Sequence, residues 1–164
     1  MSPGVYCKGL SLKGNVTLEP GLYIVKDGPL TISSQASVQG DGVSFYLTGS
    51  NAGFTINGGA AIDLTAMTSG DYQGILIAQD RNSTGPLGNT LNGAANTVLT
   101  GAIYTPNASL SVTGSAGFGQ STNFMPLIAD TIKFSGTSTT EVDLSAVPTV
   151  EPLDRSAQSA MLVQ

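Results

Sequence analysis

The chain has 164 residues, of which 40% are hydrophobic and 10% charged, and its net charge is −5. That length suits one domain with a single sizeable core, and apolar content this high with so little charge excludes the composition of a disordered chain. Six basic residues with no basic run exclude a nucleic-acid surface. The absence of histidine excludes Ser-His-Asp and Cys-His catalysis and His-ligated metals.

In chain order the apolar residues alternate over three to five positions and then stop at Gly, Asn, Asp or Pro, which is a strand signal. The clusters begin with LSL at Leu10, VTL at Val16, LYIV at Leu22, LTI at Leu30, SVQ at Ser37 and SFYL at Ser44. FTI at Phe54, IDL at Ile62, ILIA at Ile75, TLN at Thr90, VLT at Val98 and AIYT at Ala102 continue them. LSV at Leu110, LIAD at Leu127, IKF at Ile132 and VDL at Val142 close the series. No stretch approaches the length of a membrane span.

Taken in threes, these clusters repeat. One set is Leu10, Leu30, Phe54, Leu91, Leu110 and Ile132; a second is Val16, Val38, Ile62, Val98 and Val142; a third is Leu22, Phe45, Ile75, Ile103 and Leu127. Matching positions recur roughly every 20 to 36 residues, the range of a solenoid. The predicted fold is therefore all-β, a right-handed parallel β-helix with three faces and about six coils, some 25–30 Å long at ~4.8 Å per coil. A β-sandwich also produces many short strands, but it leaves three recurring strand classes unexplained. Inward positions are expected to include Val16, Ile24, Leu30, Phe45, Ile77, Ile103, Leu110, Ile128, Ile132 and Phe134.

Residues 3–147 form the expected solenoid domain, and 148–164, where the composition changes, could cap its last coil. Strand-and-turn patterning begins at the second residue, so the chain is expected to be a fragment of a longer protein. Ala66–Gly74, Gln79–Asn89 and Thr113–Pro126 are too long for corners and are expected to project as loops. The first two flank the strand at Gly74–Ala78. The border they form on the third face, Tyr72, Asp80, Arg81 and Asn82, is the candidate partner-binding surface.

Other readings are weighed residue by residue. Asp27, Asp80 and Asp130 follow strands at similar offsets and could form a Ca²⁺ or acid cluster; a column of turn-forming corner residues is the favoured reading. Glycan cleavage would need two carboxylates in one cleft, and Asp27, Asp63, Asp71, Asp80, Asp130 and Asp143 are expected to be dispersed. No catalytic residue, metal or cofactor is therefore expected. Tyr23, Tyr46 and Tyr104 are assigned to corner packing in preference to sugar stacking. Cys7, the only cysteine, is expected to be a small buried hydrophobe or half of a bridge whose partner has been lost. Thr17, Thr31, Thr55 and Thr131 are expected to scatter over two faces, against a flat ice-binding threonine array.

The segments PGVYCKGLSLKGNVTLEPGLYIV, GVSFYLTG, YQGILIAQDRN, LTGAIYTPNASLSVTG and LIADTIKFSG together resemble the C-terminal region of TadG-like proteins from bacterial Tad (Flp) pilus-assembly loci. The resemblance spans Pro3 to about Gly136 and rests on the ordered set of segments. Members tend to carry a second cysteine before the LIADTI-like segment. This chain has NFMP at Asn123–Pro126 instead, so no internal bridge to Cys7 is expected. The resemblance implies a non-catalytic structural or adhesive module of the cell envelope, periplasmic or extracellular, with an anchor upstream. Its partner would be a pilus or cell-surface protein, or a surface glycan. A carbohydrate-binding or carbohydrate-active β-helix is the alternative, and an ice-binding solenoid a more remote one.

Overall fold

The computed structural model describes residues 1–85, 87–93, 97–114 and 125–136. Fourteen strands and no helix occur among them. All ladder pairings between strands are parallel. The chain winds as a β-solenoid of about five turns, slightly fewer than the six coils expected.

Three strand stacks form the faces. The third face stacks β1 (Gly4–Cys7), β4 (Gly21–Lys26), β7 (Val43–Thr48) and β10 (Ile75–Gln79), followed by the first parts of β13 (Ala102–Gly114) and β14 (Leu127–Ser135). The first face stacks β2 (Leu10–Leu12), β5 (Leu30–Ile32), β8 (Phe54–Ile56) and β11 (Asn89–Gly93), then the second parts of β13 and β14. The second face stacks β3 (Asn15–Leu18), β6 (Ser37–Gly40), β9 (Ala61–Thr65) and β12 (Thr97–Thr100). Because β13 runs unbroken round one corner, the third and first faces join into a single ten-stranded sheet.

Inside, the coils stack like on like. Tyr23, Phe45, Ile77, Ile103 and Leu127 are in register through the third face, and Leu10, Leu30 and Phe54 through the first. Phe45 and Phe54 are fully buried, and the Tyr23 ring lies 5.5 Å from that of Phe45. The alternation of the strands thus supplies one continuous apolar cylinder, the dominant favourable term in folding.

Several inward assignments need correction. In GLYIVK four consecutive apolar residues leave the phase of alternation open. Tyr23 and Val25, not Ile24, point inward, and Ile24 sits half-buried in the outer row with Val5 and Tyr46. A slip of one residue moves a whole strand to the other face. Tyr23 can lie inside because its hydroxyl donates to the Glu19 carbonyl at 2.9 Å, satisfying its one polar group. Burial, then the neighbouring Tyr6, raises the pKa of Tyr23. Ile128 likewise faces outward and is 48% exposed. Phe134 shares its row with buried Val112, yet is 51% exposed because no described strand lies beyond β14. Val142 and the proposed cap fall outside the described residues.

On the first face, Thr31, Thr55 and Thr90 stand in one outward row with Ser11 and Ser111. The hydroxyls line up over several coils on this face. Thr17 falls on the second face, beside Gln39 and Asp63, and Thr131 on the first, opposite Ser109, so the four named threonines lie on two faces, as expected. Cys7 is exposed, so it is not a core residue.

Candidate functional site

The site is built around β10. A register shift between Ile75 and Ile77 puts both Leu76 and Ile77 in the core, and the Ile75 carbonyl accepts the Ser44 hydroxyl at 2.6 Å. Gly74 donates to the Met67 carbonyl and Ile75 to that of Tyr72. The 66–74 loop is thereby folded onto the third face with Tyr72 against Tyr46, ring centroids 5.5 Å apart and tilted by 58°.

At the other end of β10 the chain turns sharply. Asp80 accepts the Asn82 backbone amide at 2.9 Å and the Thr48 hydroxyl at 2.7 Å, which pins the turn to the coil below. Those two bonds, the Asn82 amide first, hold the Asp80 carboxyl below its ordinary value. Tyr46 interacts with the same carboxylate, and its own pKa is raised, first by burial and next by the Asp80 charge. Arg81 turns to Tyr104 rather than to a carboxylate. Its Nε donates to the Tyr104 hydroxyl at 2.8 Å, a second guanidinium nitrogen donates to the same oxygen, and its carbon lies 5.5 Å from the ring centroid. Asn107 donates to the Arg81 carbonyl at 2.6 Å and closes the arrangement from the next coil.

The structure thus brings Tyr72 and Asp80 together through Tyr46, and Arg81 and Asn82 close beside them. Sequence reasoning assigned Tyr46 and Tyr104 to corner packing together with Tyr23. The three differ in direction: Tyr23 points into the core, while Tyr46 and Tyr104 stand in the outward row with Ala78 between them. The signal was available in strand phase, since Tyr46 follows the inward Phe45 and Tyr104 the inward Ile103.

Gln79 and Asn89, read as the ends of a projecting loop, are instead buried strand residues. Gln79 donates to the Ala52 carbonyl at 2.7 Å, Asn89 accepts the Phe54 amide at 3.1 Å, and the two side chains meet at 3.5 Å. They satisfy the backbone where the third face turns into the first. Asn89 takes the inward place that Phe54 and Leu110 fill on neighbouring coils.

The carboxylates sit apart in their bonding. Asp27 accepts from the Ser50 amide at 3.1 Å, and Asp130 from the Thr131 hydroxyl at 3.3 Å. Asp41 and Asp63 line an open groove on the second face with Thr17, Pro20, Gln39 and Thr65, and both are exposed. Asp71 is exposed in the 66–74 loop, and Asp143 lies outside the described residues. No group of three or more His, Cys, Asp or Glu that could hold a metal occurs among the described residues. The third-face cluster can stack and hydrogen-bond a ligand.

A family model described as a domain of unknown function, DUF7305, matches residues 1–145. The chain belongs to the DUF7305 family. The match takes in every described strand of the solenoid, so the cluster at the third face is part of the DUF7305 domain itself. Comparison of this DUF7305 chain with curated proteins and with solved structures found no match.

Proposed function

We propose that this DUF7305 domain is a non-catalytic adhesive module of a bacterial cell-envelope protein linked to Tad pilus assembly, displayed in the periplasm or outside the cell by an anchor upstream. Its partner is a surface component, a pilus or cell-surface protein or a glycan, met by the third face. One observation carries the reading: the outer row of that face is apolar and aromatic, from Val5 (61% exposed) through Ile24, Tyr46, Ala78 and Tyr104 to Ile128. The corresponding outer rows of the other two faces carry mainly hydroxyl, amide and carboxylate groups. Val5 and Ile128 are the exposed members of the third-face row, Ile24, Tyr46 and Tyr104 are half-buried and Ala78 is buried; contiguous exposed apolar surface marks contact sites. The link to the Tad system rests on the segment resemblance alone.

The test replaces residues 80–88 with a four-residue Gly/Asn turn in the intact parent protein while keeping the buried Gln79 and Asn89. Attachment of cells carrying it should be lost, and the melting transition should remain cooperative. If that variant does not fold, Asp80→Ala with Arg81→Ala takes its place. Unchanged attachment by a folded variant would remove the proposal.

A further inference from the structure

The outer row of the third face carries Tyr46 and Tyr104 two coils apart, with only Ala78 between them. Strands in a sheet lie ~4.8 Å apart, so the two ring-bearing positions are about 10 Å apart along the solenoid axis. That is about the length of two sugar units in an extended β-1,4-linked chain, in which alternate units present the same face. The Tyr104 hydroxyl is held by Arg81, and the Tyr46 ring packs against Tyr72 at 5.5 Å. Little side-chain freedom is left to lose on binding.

We infer that Tyr46 and Tyr104, bracketed by Asp80 and Arg81, form a stacking platform for a neutral, extended β-linked polysaccharide running along the solenoid axis. The inference rests on the binding face proposed above and names its ligand. Arg81 lies over one side of the Tyr104 ring and Tyr72 packs against Tyr46, so sugar C–H groups, polarised by neighbouring oxygens, would meet the negative ring faces that these neighbours leave. Asp80 and Arg81 cancel in charge and are both engaged within the cluster, so the patch suits a neutral, hydroxyl-rich ligand. The exposed side chains of Asn82 and Asn107 give the platform an amide rim. Tyrosine and arginine also anchor protein partners. The two-coil spacing and the cancelled charge favour the polysaccharide.

Affinity electrophoresis of the intact chain through gels containing hydroxyethylcellulose, a neutral β-1,4-glucan derivative, tests this. The wild-type chain should be retarded, with Tyr46→Ala and Tyr104→Ala each losing about tenfold in apparent affinity. Thr55→Ala, on the first face, should behave as wild type. Thermal melting followed by circular dichroism establishes that each variant is folded. No retardation of the wild-type chain, or equal retardation of the folded double variant Tyr46→Ala/Tyr104→Ala, would overturn the inference. Attachment of cells that falls in the double variant while the wild-type chain passes the gel freely would overturn the polysaccharide and leave the binding face standing with a protein partner. Attachment unchanged in the double variant would count against both.

Discussion

Phe45→Ala should lower the unfolding free energy by about 3–5 kcal/mol, read as a shift in urea midpoint at unchanged slope. Phe45 is 1% exposed and stands in register between Tyr23 and Ile77 on neighbouring coils. A globular core can partly collapse around a deleted ring. Here the hydrogen-bonded strands on either side keep their own spacing of ~4.8 Å, so most of the cavity should persist. Val5→Ser, at an exposed position of the same face, should change stability by no more than about 0.5 kcal/mol. A Phe45→Ala loss as small as that of Val5→Ser would mean that the interior is not packed as described.

Gly28→Ala should be comparably severe for the opposite reason, at about 3 kcal/mol, the upper end of overpacking. A Cβ at Gly28 would stand 2.5 Å from the Lys8 carbonyl carbon and 2.6 Å from the Gly9 nitrogen. Those atoms are backbone, and Leu10 in the same coil donates to the Pro29 carbonyl at 2.9 Å, so the coils cannot part without losing ladder bonds. Gly88 belongs to the same corner and has open space where its Cβ would be. Gly88→Ala should therefore be neutral, or stabilising by up to about 1 kcal/mol through the unfolded chain. Thermal melts of the two variants side by side decide the point. Equal effects would show that this corner is not closely stacked.

The repeat was legible because each short strand ends in a turn residue and returns to the same apolar class one coil later. Leu30 with Phe54, Phe45 with Ile103, and Val38 with Ile62 all fall on the faces the pattern assigned. Phase was legible only where polar residues mark it. In GLYIVK nothing polar separates the inward from the outward positions, and in LIAD the outward residue is an isoleucine with no covering coil. Asn89 was missed because an amide looks like turn chemistry in a chain so rich in asparagine; its burial is intelligible only once Phe54 and Gln79 lie beside it. The candidate border was legible as a juxtaposition of two loops around one strand. The tyrosines that join its halves were not, because Tyr46 and Tyr104 lie far from Asp80 and Arg81 in sequence and meet them only through stacking of successive coils.

In the proposed function the third face does the binding, and competition measures this most directly. Purified domain added in excess should block attachment of bacteria carrying the intact parent protein, while the folded Tyr46→Ala/Tyr104→Ala domain should not. Blocking by both domains alike, or by neither, would contradict a binding role for that face.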